Sequence, residues 1–238
     1  QSLALCRTYI DTVNGDDTLL AGCNSTIIPD NIAAIAQYAF CGCEELVEVN
    51  LPATLKSIGA YAFQGCGIEK ITIPEGITTI EARTFDTCYN LEEVNLPASV
   101  TTIGNYAFQE CVSIESFDLS NVESIGINAF KECSSLEEVI WGNKLKTIGN
   151  NAFQNCYMLE EVNLPETIEE VGAYAFQNTA QYDMMPNGPV YIGNILCEYK
   201  GTMPEGTTIN VKEGTTIIAN DIFKECTQLK GINIPNSV

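Results

Sequence analysis

The chain has 238 residues, is 45% hydrophobic and carries 31 acidic against 11 basic side chains, which gives a formal net charge of −20. This composition is too apolar for a disordered chain, and no apolar run approaches the roughly 18 residues of a membrane helix. The acidic balance disfavours nucleic acids and anionic lipids. The absence of histidine removes the commonest side chain of acid–base catalysis and transition-metal binding.

The chain begins at Gln1 without a charged segment followed by an apolar one. We therefore expect a mature or truncated chain whose targeting signal has been removed. Residues 1–27 depart from the repeat that follows them. Asn14-Gly15 is typical of two-residue β-hairpin turns, so this region is interpreted as a variant repeat with a hairpin insert.

Phenylalanine then recurs after Ala or Thr in steps of 22 or 23 residues. The series is Phe40, Phe63, Phe85, Phe108, Phe130, Phe153 and Phe176. Phe223 follows after 47 residues, about two periods. A fixed period of this length predicts a solenoid, in which each unit buries its apolar face against its neighbours.

Each repeat contains a hexad with the spacing of Leu91, Val94 and Leu96. Its alternation of apolar and polar residues predicts a short strand, and Pro97 ends that strand because proline cannot donate to a ladder. We expect the hexads to form one continuous parallel sheet. The side chains predicted to stack inside it are Val49, Ile71, Val94, Phe117, Val139 and Val162.

Two further segments complete the repeat. Residues 100–104 read as a second extended piece that is too short to assign from its spacing alone. The phrase from Tyr106 to Cys111 predicts one turn of α-helix or 3₁₀-helix that returns the chain to the next coil. A coil of 22 or 23 residues has little room for a longer helix.

Residues 181–210 break the pattern again and contain Asn187-Gly188, a second hairpin signal. We interpret them as a variant repeat with a hairpin insert, so that residues 1–238 form a single solenoid. Residues 234–238 start another repeat, and neither end has a polar cap. We therefore expect a piece of a longer array, because uncapped ends of solenoids expose core residues.

The hexad matches the strand half of the leucine-rich repeat. The longer phrase Leu-Pro-x-x-Val-x-x-Ile-Gly-x-x-Ala-Phe-x-x-Cys-x-x-Leu resembles the BspA-like class of these repeats, over roughly residues 28–180 and 211–238. The resemblance implies a mainly β, right-handed solenoid of about nine coils with a parallel sheet and short 3₁₀ or helical turns. It also implies a bacterial cell-surface or secreted protein with a role in adhesion.

Seven of the 11 cysteines share one repeat position: Cys43, Cys66, Cys88, Cys111, Cys133, Cys156 and Cys226. Equivalent side chains on successive coils lie about 4.8 Å apart and point the same way. That arrangement suits neither a disulfide nor a tetrahedral zinc site. We predict buried free thiols, with metal binding or disulfides as the alternatives, and Cys6 with Cys23 as the only candidate bridge.

The outward positions of the hexads form a polar, acidic strip. Its members, here called the candidate face, are Glu48, Asn50, Lys70, Thr72, Glu93, Asn95, Ser116, Asp118, Glu138, Ile140, Glu161, Asn163 and Asn233. Three interpretations stay open: a solvated surface, a binding surface for a basic or polar protein, and calcium binding through oxygen ligands. No EF-hand loop accompanies the strip.

Aromatic residues offer two weaker signals. Tyrosines lie two residues before the repeat phenylalanine in four repeats: Tyr38, Tyr61, Tyr106 and Tyr174. The same position holds Arg83, Asn128, Asn151 and Asp221 in other repeats. We predict that these side chains are partly exposed and stack between coils, with a role in an interface as the alternative. Trp141 falls at an inward hexad position beside the outward Ile140 of the candidate face.

No nucleophile, phosphate-binding or dinucleotide motif is present, and repeated carboxylates single out no catalytic pair. We predict a non-enzymatic monomer without cofactor or metal, which binds a protein or glycan, host extracellular ligands among the candidates. No nucleic acid partner and no membrane insertion are expected. The alternatives are a structural spacer or stalk that presents another module, and a carbohydrate-binding surface module.

Overall fold

The computed structural model describes residues 9–13, 16–24 and 26–238. The first elements are β1 (Tyr9–Val13), β2 (Asp16–Ala21), β3 (Ile32–Ile35), β4 (Ser57–Ile58), β5 (Lys70–Thr72), β6 (Thr79–Ile80), β7 (Glu93–Asn95), β8 (Thr102–Ile103) and β9 (Ser116–Leu119). They are followed by β10 (Ser124–Ile125), β11 (Glu138–Trp141), β12 (Thr147–Ile148), β13 (Glu170–Val171), α1 (Ala180–Met184), β14 (Gly188–Ile192), β15 (Ile195–Lys200), β16 (Thr207–Asn210), β17 (Ile217–Ile218) and β18 (Leu229–Asn233).

The protein is a mainly β parallel solenoid of about nine coils with almost no helix, which confirms the predicted fold class. Each regular coil contributes three segments. The hexad column consists of β5, β7, β9, β11, β16 and β18 together with the unpaired segments 47–51 and 160–164. The short-strand column consists of the two-residue strands β4, β6, β8, β10, β12, β13 and β17. The turn column consists of the segments from the tyrosine position to the cysteine.

The turn column is bonded from coil to coil through its backbone. Tyr61 N–H donates to the carbonyl of Ala82 at 3.0 Å, and Phe63 N–H donates to that of Thr84 at 2.9 Å. A third bond of the same kind starts at Gly65. The same three bonds recur at each junction between regular coils, so the turn column sets the spacing of the solenoid.

Two residues with positive φ produce this pattern in each turn. They precede the phenylalanine by two positions and the cysteine by one, as Tyr61 (φ 61°) and Gly65 (φ 66°) do. The N–H groups of the two left-handed residues and of the phenylalanine between them point to the next coil, while the alternate N–H groups bond within the turn, as Gln64 does to the Tyr61 carbonyl at 3.2 Å. The predicted helical turn is therefore replaced by consecutive β-turns.

The short-strand column carries the longest parallel sheet in the described part of the chain. Its five strands run in the order β13, β12, β10, β8 and β6. In register, Ile80 pairs with Ile103 and Ile125 with Ile148, and all four side chains are buried. Residues 100–104 and their counterparts, which the spacing alone could not assign, therefore form this continuous parallel sheet.

The hexad column is less regular than predicted. Its described strands form three separate parallel pairs, β5 with β7, β9 with β11, and β16 with β18. The prediction of one continuous sheet through the hexads is therefore wrong. Strand pairing is lost between β7 and β9 and again between β11 and residues 160–164, where the turn column still bonds the coils together.

The core follows the predicted inward positions. Ile71, Phe117, Val139 and Val162 are buried, and Val49 and Val94 are half-buried and pack against the core. The repeat phenylalanines form a stack whose successive ring centroids lie 5.0 to 5.6 Å apart with nearly parallel planes. Aromatic pairs of this kind contribute about 0.5–1.5 kcal/mol beyond their burial.

The cysteine column is reduced, as predicted: nine cysteines of the described residues are free, including all seven in the column. From Cys66 to Cys156 each thiol donates to the carbonyl of the phenylalanine in the preceding coil, as Cys111 does to Phe85 at 3.1 Å. Burial raises the pKa of Cys88 to about 12, so such thiols are unreactive. Cys23 is disulfide-bonded, whereas Cys6 lies outside the described residues.

Both variant regions contain antiparallel hairpins. β1 pairs with β2 across Asn14-Gly15, which lies outside the described residues. In the second region Ile192 pairs with Ile195, so the turn between β14 and β15 is Gly193-Asn194. The predicted turn at Asn187-Gly188 is wrong, because Gly188 begins β14 and Gly193 (φ 57°) supplies the left-handed conformation that a two-residue hairpin turn requires.

Candidate functional site

Every residue of the candidate face is exposed. The alternation of the hexad strands places them on solvent while the residues between them enter the core. Strand pairing sets several side by side: Lys70 with Glu93, Thr72 with Asn95, Ser116 with Glu138, and Asp118 with Ile140. The structure therefore assembles residues that are 22 or 23 positions apart into two neighbouring polar rows.

Contacts within the candidate face are few and exposed. Lys70 Nζ lies 3.2 Å from a Glu93 carboxylate oxygen, and Asn95 donates to Glu93 at 2.9 Å. The Asn95 hydrogen bond and then Lys70 lower the pKa of Glu93. Glu93 is thus ionised well below neutral pH, and the ion pair is one that salt screens easily.

The face extends one residue beyond the sequence prediction. Asn233 donates to the side-chain oxygen of Asn210 at 2.7 Å, and Asn210 occupies the same outward position in β16. The hexad of β16 starts with threonine, so the leucine spacing did not reveal it. The alternation of Ile209 and Val211 with polar residues is the signal that was available.

A groove opens where β11 and the next hexad segment are unpaired. It has a volume of about 490 Å³ and contains four carboxylates: Glu137, Glu138, Glu160 and Glu161. Val139 and Met158 supply apolar surface beside them. We call this the acidic groove. Grouped carboxylates favour a cationic group, and a neighbouring apolar wall suits the methylene stem of a lysine or arginine.

A second opening, which we call the strand-gap cleft, lies next to the hairpin of β14 and β15. It has a volume of about 780 Å³, between residues 162–168 on one side and residues 192–195 and 216–217 on the other. Sequence reasoning identified the irregular region but not the cleft. The missing hexad between Phe176 and Thr207 is the signal that could have predicted it.

Side chains at the tyrosine position stack from Tyr38 to Tyr106, as predicted, and Tyr174 is exposed. The Tyr38 and Tyr61 ring centroids lie 4.6 Å apart. The guanidinium of Arg83 lies 4.0 Å from the Tyr106 ring centroid and donates to Asp86 at 2.7 Å. Burial raises the pKa of Asp86, and the hydrogen bond from Arg83 opposes that rise.

Trp141 and Ile140 have different environments. Trp141 is half-buried, and its ring packs edge-on against Phe153 with centroids 5.2 Å apart. Ile140 is 49% exposed and points away from the core. Of the two, only Ile140 presents an apolar side chain to a ligand on the candidate face.

The insert buries a carboxylate, Glu198, which is 6% exposed. It accepts hydrogen bonds from the Gln177 side-chain amide at 2.7 Å and from the Tyr182 hydroxyl at 3.3 Å. Gln177 in turn accepts from Gln154, so the contacts form a chain from the regular coils into the insert. Burial raises the pKa of Glu198, and the two hydrogen bonds oppose that rise.

Comparison with protein families agrees with the repeat geometry. A family model described as BspA type leucine rich repeat region matches the chain in six copies, over residues 20–134, 56–183 and 198–238. The chain belongs to the BspA-type leucine-rich-repeat family. The resemblance seen in the sequence is thereby confirmed. A search of curated proteins found no match to the chain.

Solved structures resemble this BspA-type chain at low identity. A leucine-rich repeat protein from Bacteroides ovatus ATCC 8483 is 23% identical with a TM-score of 0.63, over 99% of this chain and 66% of its own length. One from Eubacterium ventriosum ATCC 27560 is 21% identical with a TM-score of 0.59, over 78% of this chain and 52% of its own length. These likenesses show a shared fold, and this chain spans only part of both proteins.

Metal sites and membrane-spanning helices are the two further features considered for this BspA-type chain. Among residues 9–13, 16–24 and 26–238, no group of three or more cysteine, aspartate or glutamate side chains is arranged to hold a metal ion. In the same residues no helix has the length and apolar character needed to cross a membrane.

Proposed function

We propose that the chain is a cell-surface or secreted binding protein that captures a basic protein ligand, as an adhesin does, through the candidate face. The observation that carries this proposal is the acidic groove, where Glu137, Glu138, Glu160 and Glu161 surround one opening beside Met158. Membership of the BspA-type family supports the surface location, because the resemblance to BspA-like repeats implies a surface protein. A host extracellular protein is one candidate ligand.

Electrostatics and repetition support a protein ligand over a small molecule. The net charge of −20 produces a field that steers basic partners toward the surface. Similar polar residues recur over several coils, so a ligand gains many modest contacts rather than one deep site. An active site needs one distinctive set of groups, whereas the polar residues of this surface recur from coil to coil. We therefore propose no enzymatic activity.

The test begins with an array of extracellular proteins and glycans probed with the purified chain. Each captured protein is then measured against a triple variant, Glu93→Gln, Glu138→Gln and Glu161→Gln. We expect at least about a tenfold weaker affinity at low salt and a nearly unchanged melting temperature, because exposed charges contribute little to stability. Added salt should weaken binding of the parent protein.

A matched control removes the same charge from another surface. Glu81, Glu123 and Glu169 are exposed and lie directly next to the short strands, and their triple replacement by Gln should leave affinity unchanged. Equal binding by both triple variants and the parent would contradict the proposal. Capture of glycans alone would favour the carbohydrate-binding alternative, and no capture at all would favour a spacer or stalk.

A further inference from the structure

One coil of the solenoid lacks a hexad strand. Between residues 160–164 and β16 the chain forms α1, β14 and β15 instead. In the described sheets β14 pairs only with β15, and β15 pairs with β14 and β17, so neither pairs with a hexad segment. The hexad column therefore contains a gap one strand wide.

The edge of this gap presents an open backbone donor. Where hexads pair, as β5 and β7 do, Ile73 N–H donates to the carbonyl of Asn95 in the next coil at 2.9 Å. Leu164 occupies the position of Ile73, and its N–H has no acceptor among the described residues. Two residues earlier, Val162 N–H is satisfied by the side-chain oxygen of Gln181 at 2.8 Å. The Gln181 side chain thus replaces the hydrogen bond that the missing strand would make to Val162 N–H, and Leu164 N–H stays open.

The strand-gap cleft lies beside the open N–H of Leu164. Ile168, Ile192 and Ile195 are buried residues in its wall, and Ile217 is half-buried beside them. Of the described residues that line it, Glu166 alone is charged. The volume of about 780 Å³ is within the range of about 300–1,000 Å³ for ligand sites. The cleft thus combines a backbone donor, an apolar wall and one carboxylate.

We propose that the strand-gap cleft binds an extended segment of another protein, which adds to the solenoid as a strand beside residues 162–165. The segment's backbone accepts from Leu164 N–H, an apolar side chain contacts the isoleucine wall, and a lysine or arginine contacts Glu166. Strand addition of this type draws its affinity from backbone bonds and its selectivity from side-chain pockets. The inference rests on the proposed capture of basic proteins, and the cleft shares only Asn163 with the candidate face.

The experiment uses the peptide acetyl-Lys-Lys-Val-Thr-Val-Lys-Lys-amide as the probe and the full chain as the receptor. We expect saturable binding by calorimetry and slower hydrogen exchange at the Leu164 amide. A peptide with both valine nitrogens methylated should bind about tenfold more weakly, because the N-methyl groups obstruct the edge-to-edge approach that strand addition requires. Unchanged affinity for the methylated peptide, or no binding of the parent peptide at millimolar concentration, overturns the proposal.

Variants locate the bound peptide. Asn194 is exposed at the hairpin turn that borders the cleft, and Asn194→Trp should fill the opening and weaken binding at least about tenfold. Asn143 is exposed outside the cleft, so Asn143→Trp should bind as the parent does, and equal binding by both variants overturns the proposal.

The triple glutamine variant of the candidate face separates this inference from the proposed function. It should keep its affinity for the peptide, since the cleft is intact. If the peptide instead binds Asn194→Trp normally and fails to bind the triple variant, the candidate face is its site. That result overturns the strand-gap cleft and leaves the proposed function standing.

Discussion

The turn column and the hexad column have the same period, yet only the turn column is bonded at every junction between regular coils. Three N–H groups per coil, those of its two left-handed residues and of the phenylalanine between them, donate to the next coil, whereas the hexads pair at some junctions and separate at others. The spacing of the solenoid is therefore fixed on one side. The hexad side is free to open into grooves, and both the acidic groove and the strand-gap cleft lie there.

The largest expected effect is in the phenylalanine stack behind the turn column. Phe108→Ala should lower the free energy of unfolding by about 3–5 kcal/mol, because Phe108 is fully buried and its removal leaves a cavity. Tyr106→Ala should cost clearly less, since Tyr106 is half-buried. Urea unfolding followed by circular dichroism measures both, and equal costs would mean that the turn side chains, not the stack, hold the coils together.

A smaller loss should follow from crowding the corner before the turn column. A Cβ on Gly104 would lie 2.8 Å from the backbone nitrogen of Ala82 in the preceding coil, so Gly104→Ala should cost about 1–3 kcal/mol. Glu81 occupies the equivalent position in the preceding coil and already has a Cβ. Glu81→Ala is therefore the control, and a comparable loss in the two variants would show that the corner is not close-packed.

The thiol column should contribute less again. Cys111→Ala should cost about 1 kcal/mol, because it removes the hydrogen bond to the Phe85 carbonyl, which still accepts from the Cys88 N–H at 3.1 Å. The exposed Cys41 serves as the control, and Cys41→Ala should be neutral. Thiol titration should label Cys41 in the native state and the buried column only in denaturant. Native labelling of Cys111 would contradict the burial described here.

The smallest effect concerns pH. The folded-state pKa of Glu198 is raised, so its contribution to stability is fully present below the unfolded-state pKa and is lost as pH rises through the folded-state value. The parent should therefore gain more stability than Glu198→Gln when pH falls from 7.5 to about 4.5, near the unfolded-state pKa of a glutamate. Melting temperatures of both proteins at the two pH values test this difference. Repulsion among the remaining acidic side chains affects both proteins alike, so it cancels in the comparison. An identical pH response would place the Glu198 charge in solvent.

Periodicity predicted the solenoid and most of its core, because the inward side chains repeat with the coil. It did not predict how the coils bond to each other. The left-handed position accepts Tyr61, Arg83, Asn128 and Asp221 alike, so residue type there does not reveal the conformation. The two-residue ladder that contains Ile80 and Ile103 is likewise too short to produce a periodic signal.

The candidate face was predictable because strand alternation decides which side chains leave the core. The grooves were not, because they depend on which hexads pair, and hexads of similar sequence pair in one coil and separate in the next. The Asn187-Gly188 prediction failed for a related reason. A turn dipeptide indicates only a local preference. The hairpin turns instead at Gly193, five residues later, and this register buries Val190 and Ile192.

The bonding of the turn column also makes that column electrically polar along its length. The peptide group that joins Ala60 to Tyr61 accepts from Tyr38 N–H at 3.2 Å and donates to Ala82 at 3.0 Å. Three such head-to-tail chains of peptide groups run through the regular coils, with every N–H directed toward the later coils. Aligned peptide dipoles of about 3.5 D add, and bonds in a chain polarise one another. The turn column therefore has a positive end toward the later coils, a polarity that surface mutations leave in place.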